Sequence, residues 1–340
     1  MPTRHNEGSP MPTRRSFLAA TAASLIVPRF AHGQARLQVP VSARTLIGVL
    51  WTQGGEASAP LWDAFTAGAN AADISNGRDF TVQHAWCDND DTKLQQYAKY
   101  LVEREAAVLL AQGGASAAAL AQASRTLPII AMTVSEAAAA ELIGPDLAHP
   151  KANVTGLTLT TSQMAAGQID IAATLAPGKR IGILSELGSA ADDDFLRNAM
   201  TAATPMGVDL LGGQPTGGDY GRALTGLVAQ GVGAILVPAP ELAEEQRKQV
   251  VAAAKAAKVP VVFGNRLAVQ KDGGLISLGG DQLSNYRRAA AMMAAVLRGA
   301  KPGDIPAEVA KPTLVVNTRV AREQGITVPV AILARAEAVE

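Results

Sequence analysis

Ile47-Gly48-Val49-Leu50 and Ile181-Gly182-Ile183-Leu184 are two versions of one short apolar run. Ala107-Val108-Leu109-Leu110 returns as Ala234-Ile235-Leu236-Val237, and Leu127-Pro128-Ile129-Ile130 returns as Val259-Pro260-Val261-Val262. The pairs keep their order and lie about 130 residues apart, longer than a solenoid unit and close to one α/β domain. Any α/β chain contains strands that echo one another. The shared order and the near-constant offset are what favour a duplication.

Working outward from these runs, further strands are expected at Thr81–Trp86, Val154–Leu159, Val208–Leu211, Leu275–Leu278 and Leu314–Asn317. Many are unbroken in Val, Ile and Leu rather than alternating, as in strands covered on both faces of a parallel sheet. Ala-rich stretches with helical spacing separate them, at Thr92–Arg104, Ser162–Leu175, Pro240–Ala257 and Gln282–Leu297. Asp91 or Thr92, Ser162 and Asp281 are their expected caps. The pattern is βαβα, the fold class is α/β, and the architecture is two Rossmann-like lobes with parallel sheets.

Ligands of open parallel sheets bind beyond the carboxyl ends of the strands, and two facing lobes create a cleft there. In the first half the strand ends lead into Trp51-Thr52-Gln53, Gly113-Gly114-Ala115-Ser116 and Thr133-Val134-Ser135. In the second half they lead into Ser185-Glu186, Pro238-Ala239-Pro240 and Gly264-Asn265-Arg266. These tips carry much Gly, Ser, Thr and Asn and little charge. Trp51, Thr52, Gln53, Gly113, Gly114, Ser116, Thr133, Ser135, Ser185, Glu186, Asn265 and Asp281 are therefore the candidate ligand residues. Helix-start N–H groups attract carboxylates. Gly113-Gly114 permits close backbone approach. Thr52, Ser116 and Thr133 add hydroxyls, and Glu186 or Asp281 would meet a ligand ammonium. The competing expectation is turn geometry and capping, with Trp51 equally suited to packing at a lobe edge.

The chemistry of common enzymes is missing. Of four histidines, His5 and His32 lie in the leader; His84 falls on a strand and His149 in a loop. No HExxH, G-x-S-x-G elbow, Walker lysine or first-turn G-x-G-x-x-G occurs, so no metal, cofactor or catalytic residue is expected. The only cysteine, Cys87, cannot form a disulfide within one chain and reads as a quiet strand-end thiol. Asp88-Asn89-Asp90-Asp91 reads as a solvated loop and helix cap, lacking the spaced ligands of a calcium loop. Lys and Arg number 30 against 30 Asp and Glu, which gives no basic excess for nucleic acid.

Arg14-Arg15-Ser16-Phe17-Leu18, the apolar Ala19–Val27, Pro28 and the small residues of Ala31-His32-Gly33 form an export leader over 1–33, cleaved before Gln34 or Arg36. The paired arginines are similar to a twin-arginine signal; an ordinary secretory signal is the alternative. Met11 is a second possible start. The body is expected in the periplasm. Twin-arginine export also admits a cofactor enzyme loaded before export, so a nicotinamide-dependent oxidoreductase is the alternative from another class.

Several stretches together resemble a known family. They are Asn153-Val154-Thr155-Gly156-Leu157, Leu127-Pro128-Ile129-Ile130, Tyr286-Arg287-Arg288-Ala289-Ala290, and Leu297-Arg298-Gly299-Ala300-Lys301-Pro302-Gly303-Asp304-Ile305-Pro306. The ending Leu314-Val315-Val316-Asn317, Gly325-Ile326-Thr327-Val328-Pro329 and Leu333-Ala334-Arg335-Ala336 completes the set. Over about residues 45–340 the chain resembles the ABC-transporter substrate-binding proteins that include tryptophan-binding members. The resemblance implies a type I periplasmic-binding-protein fold, a small-molecule ligand, no chemistry, and delivery to an inner-membrane permease with its ATPase. The protein is expected to be a monomer. A ligand-sensing subunit of a membrane receptor is the third reading. The lobes are expected at 45–155 with about 281–302, and at 156–280 with about 303–340. Val154, Thr155, Gly156 and Ser277, with the run to Asp281, are the hinge candidates. Trp51-Thr52-Gln53 departs from the family's smaller first tip. Trp51 would then occupy part of the cleft, which argues against carrying tryptophan over as ligand.

Overall fold

A computed structural model describes residues 45–150, 152–186, 190–239 and 242–340. The export leader expected over 1–33 lies outside the described residues.

The first half runs β1 (Thr45–Trp51), α1 (Gly55–Ala71), β2 (Phe80–Trp86), α2 (Asp91–Glu103), β3 (Val108–Ala111), α3 (Gly113–Ala123), β4 (Ile129–Ser135), α4 (Glu136–Leu142) and β5 (Val154–Thr160). Its five strands form one parallel sheet in the order β2-β1-β3-β4-β5. The second half runs α5 (Ser162–Leu175), β6 (Arg180–Leu184), α6 (Ala190–Ala203), β7 (Leu210–Gly213), α7 (Tyr220–Ala229), β8 (Val232–Val237), α8 (Glu244–Ala257), β9 (Val261–Phe263), α9 (Arg266–Gln270) and β10 (Ile276–Gly279). The chain ends with α10 (Gln282–Leu297), β11 (Thr313–Asn317), α11 (Thr318–Gln324), α12 (Val330–Leu333) and β12 (Glu337–Val339). The second sheet has the order β12-β11-β10-β9-β8-β6-β7.

All eleven expected strands form, with ends shifted by a few residues. The expected all-parallel second sheet is corrected at one point: β10 and β11 are antiparallel, Gly279 facing Thr313. The path of the chain explains it. After β10 the chain leaves for α10, which packs on the first sheet through Tyr286, Ala289, Ala290 and Met293. It returns along β5 and so enters β11 from the tip end. The edge strand β12 carries no apolar run and gives no strand signal in the sequence; it is held by parallel pairing with β11.

Each sheet buries both faces. Ile47, Val49, Leu110 and Ile130 face α1 and α10, while Leu50, Leu109, Ala111 and Ile129 face α2, α3 and α4. In the second sheet Ile181, Ile183, Leu236 and Val262 pack toward α5, α6 and α11, and Ile235, Val237, Val261 and Phe263 toward α7, α8 and α9. Burial on both sides is why the runs read as unbroken hydrophobic segments. Helices α1 and α10 pack nearly backbone to backbone. A Cβ on Gly68 would lie 2.4 Å from the Arg287 carbonyl oxygen, so only glycine fits there.

The strand β5 runs on to Thr160, past the boundary expected at 155/156, and Thr160 still faces Ser135 of β4. The hinge candidates on β5 hold the returning crossover. Thr155 Oγ1 donates to Ile305 O, and the Gly156 carbonyl accepts from Glu308 N. Asn285 Nδ2 ties α10 to the Thr158 carbonyl. Two cap assignments also shift. Asp90, not Asp91 or Thr92, caps α2, and Thr161, not Ser162, caps α5, because the side chain one residue earlier reaches the free N–H groups. Asp281 caps α10 as expected.

Candidate ligand-binding site

The carboxyl ends of β1, β3 and β4 form one tip and those of β6, β8, β9 and β10 the other. The two tips meet. Ser135, the cap of α4, accepts from Ala138 N and donates from its hydroxyl to Asp194 Oδ2 of α6 at 2.6 Å. Glu136 Oε2 accepts from Ser162 N at 2.7 Å, at the start of α5. Thr161, Phe195 and Asn198 lie in the same narrow gap. Asp194 is buried and also pairs with Arg197.

Trp51 requires a correction. It is 0% exposed, and its indole lies inside the first lobe rather than in the cleft. Its Nε1 donates to His84 Nδ1 at 3.0 Å, and its ring stacks on Tyr286 with centroids 6.0 Å apart and planes 6° from parallel. The side chains of a strand alternate between faces, and this one falls on the α1/α10 side with Ile47 and Val49. Accepting at Nδ1 requires a neutral ring there. Burial lowers the His84 pKa below its ordinary 6.5, in keeping with that tautomer.

The next residues stay at the tip. Thr52 N, Thr52 Oγ1 and Gln53 N all donate to one acceptor, Gln112 Oε1, at 3.1, 3.0 and 3.3 Å. Gln112 is fully buried at the N-terminus of α3, and its Nε2 has no partner. Gly113 follows with φ +77°, which favours glycine. A Cβ on Gly114 would press on Ala138 at 3.2 Å. Ser116 and Thr133 are buried, and Ser116 Oγ has no partner.

The second tip is occupied by its own interactions. Ser185 is buried and its N–H donates to Gly213 O. Glu186 accepts from the Tyr220 hydroxyl at 3.1 Å; burial first and the Glu186 charge second raise the tyrosine pKa. Asn265 caps α9 through Leu267 N. Asp281 accepts at Oδ1 from Ser284 N and at Oδ2 from Arg266, which also donates to Glu337. The ammonium role expected of Glu186 or Asp281 thus meets carboxylates already engaged within the protein. Asn265, Arg266, Gln270, Asp281, Gln282 and Arg287 line a recess of about 180 Å³. Behind this tip, Arg247 and Asp272 form a buried ion pair at 2.6 Å, and Arg247 also donates to Leu242 O. That anchors the segment leading out of β8.

Gln112, Asp194 and Arg266 are the residues that sequence reading missed. Gln112 was legible in principle, since a polar residue closing an apolar strand directly before Gly-Gly is the last side chain aimed at the tip. Asp194 reads in sequence as one of three acids at a helix start, and only the facing lobe singles it out. Cys87 is buried, and its thiol is pushed up to about 11, first by burial and then by Asp88. Among the described residues no group of three or more His, Cys, Asp or Glu could hold a metal, and no helix is long and apolar enough to cross a membrane.

The fold is shared with solved structures. A conserved domain protein from Vibrio cholerae aligns with TM-score 0.75 and 24% identity over 87% of this chain and 99% of that one. The ABC domain from Streptococcus pneumoniae in complex with L-Trp aligns with TM-score 0.73 and 24% identity over 86% and 100%. A ligand-free, open substrate-binding protein with adhesive properties from Clostridium difficile aligns with TM-score 0.63 and 20% identity over 87% and 99%. No curated protein matches the chain. The family model described as ABC transporter substrate binding protein matches residues 47–340. Two lobes built on largely parallel sheets, facing tips and a family match over nearly the whole body agree: the chain belongs to the ABC transporter substrate-binding protein family, whose members bind solutes and perform no chemistry.

Proposed function

We propose that the protein is a periplasmic receptor that closes its two lobes on a small organic ligand, an amino acid or related carboxylate, and presents it to an inner-membrane ABC permease. The observation that carries this reading is the meeting of the two tips across Ser135 and Asp194, with unsatisfied donors behind the first tip. Thr52, Gln53, Gly113, Gly114, Ser116, Thr133 and Asn265 line the cleft in this reading, and Val154–Gly156 with Ser277 form the hinge. Closure follows only if the ligand binds the closed state better than the open one. Donors and acceptors from both lobes on one ligand supply that difference.

Isothermal titration of the leaderless protein against amino acids and organic acids tests the reading. Saturable heat with one ligand class is expected, together with a smaller radius of gyration in solution scattering. Silence across the collection would remove the reading. Replacement of Arg14-Arg15 by lysines tests the route out of the cytoplasm: the protein is expected to accumulate inside the cell, and unchanged export would assign it to the ordinary secretory route.

A further inference from the structure

We infer that Gln168 is a specificity residue of the second lobe: its side-chain oxygen takes a neutral N–H or O–H donor of the ligand, so the solute carries such a donor on an apolar body. The inference rests on the solute-binding reading. Gln168 lies in the second turn of α5, one turn beyond Met164, and is 2% exposed. Its Nε2 donates to the Leu278 carbonyl of β10 at 2.6 Å. That bond fixes the amide orientation, because a flipped amide would set one oxygen against another. Oε1 is therefore the free end, a buried acceptor with no partner among the described residues.

Gln168 lines a narrow gap of about 10 Å³ where the carboxyl ends of β5, β8, β9 and β10 converge. The gap shares Gly280 with the recess beside Arg266, and Thr160, Thr161 and Phe195 with the gap beside Ser135 and Asp194. It joins the two along the floor of the cleft. A space of that measure holds about one water-sized group, so it takes the donor of the ligand while the body of the ligand fills the adjoining recess. The strand-end wall is bare backbone. A Cβ on Gly264 would lie 2.1 Å from the Pro238 carbonyl oxygen, and one on Gly279 would lie 1.9 Å from the Gly264 carbonyl oxygen. Thr161 Oγ1 is already engaged with Met164 N. None of the described residues around the gap is charged, and Met164, Phe195 and Pro238 supply apolar surface. An ammonium would enter without a counter-charge, which is costly away from water, whereas a neutral N–H or O–H completes the acceptor without that cost. A carboxylate brings only acceptors and would face the amide oxygen.

The probes are amino acids and carboxylates that bear a hydroxyl or a ring N–H, each beside the isostere in which fluorine replaces the hydroxyl or sulfur replaces the N–H, titrated into the leaderless protein. The tightest binder is expected to carry the donor and to exceed its isostere by at least about ten-fold. Gln168→Met keeps the length of the side chain and removes the oxygen, and in it the ratio should fall to about two-fold or less. The ratio separates recognition from structure, because losing only the tie to Leu278 would weaken both members of a pair alike. Gln168→Leu carries the test if Q168M does not fold, and the wild-type ratio decides if neither variant folds. Equal affinity of the wild type for donor and isostere overturns the inference, and so does a ratio unchanged in the variant. The solute-binding reading stands in both cases. No binding by any probe removes both.

Discussion

The two tips are built from similar strands and helices but use their polar groups differently. The first keeps hydrogen-bonding capacity open at Gln112 and Ser116 and holds little charge. The second ties its charges into internal pairs, Arg247 with Asp272, Arg266 with Asp281 and Glu337, and Glu186 with Tyr220. A buried polar atom without a partner costs stability, and the second half leaves its own at Ser277 Oγ and Gln168 Oε1, so the contrast between the tips lies in their charges. A tip whose charges are paired is organised around its own shape.

The sharpest way to break this comparison is at the second tip. Arg247→Met leaves Asp272 as a buried, unpaired carboxylate and should destabilise by about 3–5 kcal/mol, read from urea unfolding. The double variant R247M/D272L should recover most of that loss. If R247M alone is neutral, the pair is not what holds the tip. Next is Gly156→Ala on the first side. Its Cβ would lie 2.0 Å from the Ala131 carbonyl oxygen, and the strand must move away from β4. A loss of roughly 1–3 kcal/mol is expected. Ser135→Ala removes both the cap of α4 and the donor to Asp194 and should cost about 1 kcal/mol. Because only the second bond crosses between the lobes, it should also enlarge the ligand-free radius of gyration, whereas Ala138→Gly should not.

The smallest effect concerns pH. His84 has a lowered pKa in the folded protein, so the unfolded chain takes up its proton first as pH falls. Stability from this group is complete above the ordinary value of 6.5 and is lost as pH drops below it toward the folded value. Unfolding curves at pH 7.5 and 5.5 should show this loss, and His84→Gln should shrink it. An increase in stability on acidification that His84→Gln abolishes would reverse the assignment.

Much of this was legible in the residues. Unbroken runs such as Val108–Ala111 and Ile181–Leu184 mark strands buried on both faces, and their ordered return marks two lobes. Gly113-Gly114 and Asn265 fell at strand ends, where the fold places a cleft. Of the two roles open to Trp51, the structure takes packing over the cleft, because strand alternation turns its ring inward onto Tyr286, a residue 235 positions later in the chain, and local sequence carries no record of such a partner. The place of Gln112 at a strand end is legible, but its unpaired NH2 is not, because a strand-end amide looks the same whether that group is satisfied or not. Asp281 and Glu186 looked free for the same reason: Arg266 and Tyr220 reach them only after folding.

The sequence by itself determined the α/β class, the duplication, the strand and helix order and the absence of common catalytic motifs, because periodicity, glycine placement and residue type are local properties. The tertiary structure alone decided which polar atoms remain unpaired, which tip residue turns inward, and that β11 runs against β10. Those depend on contacts between distant segments, and a hydrogen bond is satisfied or left open only once both partners have been brought together.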